Sequence, residues 1–444
     1  MQVVIGVYVS PKGNSISFQM KNLTGKPSLK GVKRRRYTLT CSCNCNPGII
    51  TAKGPDKLIS GGGYAISFWI KVFLDKYRWQ TPTNRLREEL EKFQLFVSQG
   101  SITGGFQFIS GLLKPIEDEI INKNKTETHW HCDETRWMVF VNMPEKKNHK
   151  WYLWIYQSAT TVVFLLVPSR GAKVPKEHFE NNASGIISAD RYVAYKCMIK
   201  SGNFLVAFCW AHVRRDFLDL AVKWPELEAW ALVWVGKIAD IYPINNQRME
   251  FDRDSLEFTE LDLKLRNSIE QMENDHEQEL SKTNLHCACG AVLNSLKNHW
   301  NGLILFIDYP WIPMDNNIAE RGLRNPIMGR KSYYGSGALW SAELAARSFT
   351  INQTLELWGI NLYLWYYTYF KECAKYKSKT PNNIQKFLPW NMTDQQLISF
   401  GADPKKVPIP PPKINRDIYD KKQNRDEPSH IYLHTLTQMD RAYY

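Results

Sequence analysis

The sequence predicts an α/β protein: a mixed five-stranded sheet with flanking helices, interrupted by an all-helical insertion and preceded by small N-terminal segments. Three observations carry this. Between about 129 and 209 apolar residues recur at strand period, in the order three strands, helix, strand, helix, strand. From Arg214 to about Asn298 the period becomes helical. Two aspartates, Asp133 and Asp190, fall on the first strand and just after the fourth, and Glu320 lies in a later Asn/Arg-rich helix.

A chain of 444 residues is long enough for two or three domains, and 43% hydrophobic with 13% aromatic residues marks it as folded. The 57 Lys+Arg against 44 Asp+Glu leave +13, the sign of a partner for a polyanion, whether nucleic acid or an anionic membrane. Membrane insertion is excluded by the same reading: Val162 to Pro168 and Leu355 to Phe370 are too short or too broken by polar residues to span. No basic-then-apolar leader opens the chain. A cytoplasmic location is therefore expected. Nine scattered cysteines point to reduced thiols. Cys41, Cys43 and Cys45 alternate and could ligate zinc, but a structural zinc site takes four ligands and residues 1 to 40 contain neither Cys nor His. Zinc segment and surface turn both stay open.

Residues 1–33 carry no assignable pattern, and 34–63 open with the basic cluster Arg34, Arg35 and Arg36, suited to a phosphate backbone. Residues 64–122 read as helices: Tyr64 to Tyr77, a charged run Arg85 to Phe96 capped by Thr83 and broken at Ser98–Ser101, and Ile102 to Ile121, interrupted by Gly104, Gly105 and Gly111. Short helices behind a basic arm fit a helix-turn-helix DNA reader or any small helical domain. Asn122 to Thr128 reads as a polar linker. Residues 123–213 hold the strands: Trp130 to Asp133, which Trp137 to Val141 either extends or folds back on, then Trp151 to Tyr156 and Thr161 to Val167. A helix from Val174 to Asn181, a strand Gly185 to Ala189 ending at Asp190, a helix Arg191 to Ile199 and a strand Leu205 to Cys209 complete them. Residues 214–305 are the insertion, in which Leu227, Trp230, Trp234 and Ile238 make a core stripe. Residues 306–345 return to the sheet with a helix of about three turns, N-capped by Asp315 and ending before Pro326. A helical segment fills 346–400, and a Pro-rich, charged tail, expected to be disordered, fills 401–444.

This strand order is that of the RNase H-like fold, which brings the first-strand carboxylate and the one after the fourth strand to the same edge. Three converging carboxylates repel one another unless cations intervene. Two Mg2+ or Mn2+ ions on Asp133, Asp190 and Glu320 would resolve the repulsion and serve phosphoryl displacement. Glu134 is expected on the opposite strand face and tolerant of substitution. Cys209 and His212 read as a buried thiol and a histidine supporting that edge more readily than as a zinc half-site, with Asn316 beside Glu320. His212-x-x-Arg215 also matches the core of a metal-free tyrosine recombinase signature, without the upstream Arg and downstream Tyr that would complete it. Gly329 to Gly337 reads as a mobile loop that brings Arg330, Lys331 and Tyr334 to a DNA strand.

The motifs Asp133-Glu134-Thr135-x-Trp137, Ser188-Ala189-Asp190-Arg191-Tyr192-x-x-Tyr195, Phe208 to Phe217, Met314-Asp315-Asn316-Asn317-x-Ala319-Glu320-Arg321 and Gly329-Arg330-Lys331-Ser332 together resemble the transposases of the insertion sequence 66 family, over roughly residues 34 to 400. The resemblance implies a bacterial DDE-type transposase, nucleoid-associated, with Asp133, Asp190 and Glu320 as its acidic triad and Mg2+ as cofactor. It implies double-stranded DNA as partner, both terminal inverted repeats and target, bound by a homo-oligomer on paired ends with accessory proteins. Arg34, Arg35, Arg36, Arg214, Arg215, Arg321, Arg324, Arg330, Lys331 and Tyr334 are the candidate DNA contacts. The Cys41, Cys43, Cys45 segment resembles the family's zinc-finger-like element, whereas residues 1 to 33 look unrelated to the family's N-terminal region. The alternative expectation is thus a truncated, inactive remnant that only binds DNA.

Overall fold

The first strands pair with one another: β1 (Val3–Tyr8), β2 (Asn14–Met20) and β3 (Ser28–Lys33) form an antiparallel sheet, and β4 (Arg36–Thr38) pairs with β5 (Ile49–Thr51). The structure, a computed structural model, describes these five strands by their backbone pairing and residues 56–142, 148–179, 184–199 and 204–412 in full. Arg34, Arg35, Cys41, Cys43 and Cys45 lie outside the described residues, as does the tail from 413 onward.

Helices α1 (Ile66–Tyr77), α2 (Thr83–Lys92) and α3 (Gln99–Lys125) follow. The glycines expected to interrupt the third helix do not. It runs unbroken for 27 residues, opened by Ser98, whose side chain accepts from the Ser101 N–H. Gly105 marks a crossing instead: a Cβ there would stand 2.0 Å from the Trp69 ring, so α1 and α3 approach as only glycine permits. The expected linker is also helical as far as Lys125. Its Asn124, fully buried, donates to the Tyr156 carbonyl and to Thr161 Oγ1, while its own carbonyl accepts from Trp130 Nε1. The residue that looked like linker is a peg holding α3 to the sheet.

The sheet consists of β6 (His129–Val139), β7 (Lys150–Gln157), β8 (Val162–Val167), β9 (Gly185–Ala189) and β10 (Phe204–Phe208), with α4 (Lys173–Phe179) and α5 (Val193–Ile199) between the later strands. Its order is β10-β9-β6-β7-β8; β6, β7 and β8 are antiparallel neighbours, whereas β9 is parallel to β6 and β10 to β9. Trp137 to Val139 extend the first strand. The helical run starts at once after β10: α6 (Trp210–Lys223), α7 (Glu228–Arg248), α8 (Leu256–Leu280) and α9 (Cys287–Leu303). Trp234 and Ile238 are buried as the stripe requires, with Phe217 of α6 stacked on Trp234. Fully buried Arg248 closes this bundle, donating to Asp262 and to the carbonyls of Phe306 and Ile307.

The chain then forms α10 (Leu305–Asp308), α11 (Asn317–Tyr333) and a sixth, two-residue strand β11 (Gly335–Ser336), parallel to β6, before α12 (Leu339–Leu357), α13 (Leu362–Lys375) and α14 (Asp394–Ser399). Two expectations fail here. The acidic helix is 17 residues long and passes through Pro326. Residues 329–337 are its last turn, a left-handed Tyr334 and a strand, not a loop. Proline cannot donate to the carbonyl four residues back, which normally ends a helix; here that carbonyl, Gly322 O, accepts from Gln353 Nε2 of α12 at 2.9 Å. The start of the expected tail is ordered too: Asn361 N donates to Phe400 O, Ala402 is buried, and Pro404–Lys406 form a 3-10 turn. Among the described residues no helix is long and apolar enough to cross a membrane.

Strand β8 is an edge whose outward backbone groups are buried, and unpaired they would cost free energy. Threonines of α12 satisfy them. Thr350 Oγ1 accepts from Phe164 N at 2.9 Å; Thr354 Oγ1 accepts from Val162 N at 3.0 Å and donates to Val162 O at 3.1 Å. Thr354→Val keeps the shape and strands both groups, so unfolding in urea should show a loss of about 1–3 kcal/mol. Thr368→Val, exposed on α13, is the control and should be near neutral; equal losses would refute the sealed edge.

Candidate active site

The site begins where the sheet parts. Strands β6 and β9 pair at His129 with Ile186, Trp130 with Ile187 and His131 with Ser188. Continuing that register sets Asp133 level with Asp190, the residue at which β9 has just ended. Farther along, the same side of β6 is taken by β11, at Met138 and Val139. A Cβ on Gly335 would stand 2.1 Å from the Met138 carbonyl oxygen, so glycine is required for that approach. Between β9 and β11 no strand pairs with this side of β6, and Asp133 lies at the head of that gap.

Glu320 is brought there by α11. Asn316, just ahead of the helix and 2% exposed, donates from Nδ2 to Cys132 O at 2.7 Å, meets His131 Nδ1 at 3.1 Å through Oδ1, and donates its backbone N–H to Cys209 Sγ at 3.3 Å. Asp315 Oδ1 accepts from Asn317 N and starts the helix, so the capping carboxylate sits one residue outside the cap position. Gly322 lets the helix lie against the sheet: a Cβ would meet Ile155 Cδ1 at 2.4 Å, and Ile155 is the cross-strand partner of Asp133. Glu320 is thereby held over the same point.

The electrostatics follow from this crowding. Burial pushes the Asp133 carboxyl up to about 8, and the negative charges of Glu134, Asp190 and Glu320 add to it against a hydrogen bond from Glu134 N. Each carboxylate has a present partner: Asp133 Oδ1 accepts from Glu134 N at 2.8 Å, Asp190 Oδ1 from Tyr192 N at 3.0 Å, and Glu320 Oε1 lies 3.8 Å from His212 Nε2. His212 Nδ1 is buried without a hydrogen-bond partner. Burial keeps His131 neutral, its pKa lowered to about 4. Among the described residues no three His, Cys, Asp or Glu side chains stand arranged to hold a metal ion.

Glu134 does face away from Asp133, as strand alternation requires, but it is not a tolerant surface position. Its side chain is 2% exposed, paired with Arg170 at 2.7 Å and accepting from Tyr195 Oη at 2.8 Å. No local pattern signals this, because its partners Arg170 and Tyr195 lie 36 and 61 residues away in the chain. The cations separate into two kinds. Arg321, Arg324 and Lys331 are exposed, and with Met328 they repeat every three or four residues along one side of α11. Arg330 is turned inward, donating to Thr135 Oγ1 at 3.0 Å and Arg136 O at 2.6 Å; it ties α11 to β6. Tyr334 is 72% exposed at the helix end, Arg214 and Arg215 are exposed on α6, and Arg36 is placed by its backbone in β4.

Glu134→Ala removes the partner of both Arg170 and Tyr195. Equilibrium unfolding should show a loss of roughly 1–3 kcal/mol, and Tyr195→Phe a smaller one; a neutral Glu134→Ala would return the residue to the surface class.

Comparison with known proteins agrees with the motifs. The chain matches the family model described as "Transposase IS66 family" over residues 62–344. Two relatives, both described as uncharacterized proteins of Sinorhizobium fredii (strain NBRC 101917 / NGR234), are y4jD, 23% identical over 84% of this chain and 74% of its own length, and y4hP, 20% identical over 87% and 72%. The matched span runs from ahead of α1 into α12 and contains Asp133, Asp190 and Glu320 with β6, β9 and α11, which carry them. The chain belongs to the IS66 family of transposases.

Proposed function

We propose that the protein is a DDE-type transposase with an RNase H-like core, which cleaves insertion-sequence ends and joins them to target DNA through Asp133, Asp190 and Glu320. The observation that carries this reading is the register of β6 and β9, which sets Asp133 beside Asp190 beneath the helix of Glu320. The strand order supports the fold, since it is the one the RNase H-like reading requires. Family membership makes DNA the partner.

The donor set suits hard divalent cations: three carboxylates, one of them driven toward its protonated form by burial first and then by the charges of Glu134 and of the other two. Each would exchange a present partner, a backbone N–H or His212, for the ion. Bound there, two Mg2+ or Mn2+ ions would activate a water or a 3′-hydroxyl and stabilise the leaving oxygen. The protein's own part is positioning. Asn316 fixes the origin of the Glu320 helix, and the exposed Arg321, Arg324 and Lys331 hold phosphates along it. In the DNA-bound assembly, Arg214 and Arg215 reach the strand from α6.

Asp133→Asn, Asp190→Asn and Glu320→Gln should each abolish end cleavage while leaving duplex affinity near wild type. Ca2+ should raise the melting temperature of the wild type and of none of the three variants. A variant that still cleaves leaves the triad, and a fully folded wild type without cleavage identifies a remnant that only binds DNA.

Affinity for duplex DNA should fall steeply with salt. Replacing Arg321 and Arg324 together by Ala should weaken binding to all sequences and lower the slope of log K against log salt by about 2. An unchanged slope would take the DNA off α11.

A further inference from the structure

The groove between α6 and α7 lies outside the carboxylate site, and of its lining only Arg214 and Arg215 enter the scheme above. It encloses about 440 Å3 and is lined by Ala211, Arg214, Arg215 and Leu218 of α6 and by Ala239 and Tyr242 of α7. We propose that it is a slot for one unpaired nucleotide of the DNA strand that reaches the carboxylate edge. This rests on the reading of the protein as a DNA strand transferase and adds a binding site to it.

The chemistry of the lining divides as a nucleotide does. Ala211, Leu218, Ala239 and the Tyr242 ring form an apolar interior, to which a base face can be transferred from water and stacked. Two exposed guanidiniums, Arg214 and Arg215, stand beside it and match a phosphodiester. The volume lies in the range of small-ligand sites, about 300–1,000 Å3, and is far too small for a duplex, so only a base out of its pair can enter. Two alanines keep the groove open where larger side chains would close it.

The slot adjoins the candidate active site along α6. His212, one residue past Ala211 and two before Arg214, is 3.8 Å from Glu320. Burial first, and then the charges of Asp315 and Cys209, raise the Tyr242 hydroxyl pKa, so the groove lies within electrostatic range of the corner where Asp315 starts α11 and Cys209 receives the Asn316 N–H. A strand with its scissile phosphate at Asp133, Asp190 and Glu320 therefore has an adjoining base within reach of the groove. The helical insertion gains a role, because α7 supplies one whole wall. The Phe217–Trp234 stack, with centroids 5.6 Å apart, sets the spacing of the two walls.

The test uses the full chain in Ca2+, with an oligo(dT) of about 12 nucleotides, matched to single-strand site sizes, carrying one 5-bromodeoxyuridine, and a blunt duplex of equal length. Ultraviolet cross-linking followed by peptide mass spectrometry should place the adduct at Tyr242. Ala239→Trp, at an exposed position, plugs the groove. It should weaken oligo(dT) binding about tenfold, the worth of one stacked base, and change duplex affinity by less than about twofold. Should Ala239→Trp alter the circular-dichroism melt, the Arg214→Ala/Arg215→Ala double variant is read in its place, with the single-strand loss exceeding the duplex loss. Adducts confined to other residues, or equal losses on both probes, overturn the slot. For the wild type, absent end cleavage in Mg2+ with the adduct intact in Ca2+ refutes the strand-transfer reading alone. Cleavage without the adduct refutes the slot alone.

Discussion

The candidate site depends on one buried amide. Asn316 joins three parts of the chain that are far apart in sequence: β6 through Cys132 O and His131, the β10–α6 junction through Cys209, and α11, which begins at the next residue. A buried primary amide with both its Nδ2 and its Oδ1 engaged is narrowly confined in geometry, since a shift would strand polar groups away from water. The direction of α11 relative to β6 is set by that requirement. The neutrality of His131 belongs to the same arrangement, because a charged imidazole there would face Arg321 as well as the cost of burial.

A second layer of constraint comes from α12. Its Gln353 takes the carbonyl that Pro326 leaves unpaired, while Thr350 and Thr354 seal the β8 edge. Arg347, on the same helix, pairs with Glu117 and Ser110 of α3. One helix thus straightens the acidic helix, closes the sheet and anchors the N-terminal helices. It does so with polar side chains, which are directional where hydrophobic packing is not. Rigidity of this kind suits a site that must hold carboxylates together against their own repulsion.

The surplus of positive charge is distributed to match. Arg330 is used inside the fold, and the exposed cations of α11 run from Glu320 toward Tyr334. Arg214 and Arg215 stand exposed on α6, next to a groove completed by the helical insertion. Exposed positive charge therefore flanks the carboxylates without neutralising them, as the proposed binding of a polyanion at an acidic centre would require.

How much of this was legible in the sequence differs from element to element, for physical reasons. Strand order, helical insertion and family could be read directly, because period-2 and period-3.6 apolar patterns are local and the motifs around Asp133, Asp190 and Glu320 are contiguous. Errors arose where a local signal was answered from far away. Pro326 reads as a stop, yet Gln353 supplies the missing donor. Gly105 reads as a break, yet it makes room for Trp69. Asn122 to Lys125 read as linker, and Asn124 is a buried peg between strands and helix. Glu134 reads as a position tolerant of substitution and Arg330 as a DNA contact until the partners Arg170, Tyr195 and Arg136 O are seen. Sequence alone determined which residue types and which order of elements the chain carries; the tertiary structure decided which polar groups find partners across 30 to 200 residues, because a hydrogen bond's worth depends on burial and geometry that no local pattern encodes.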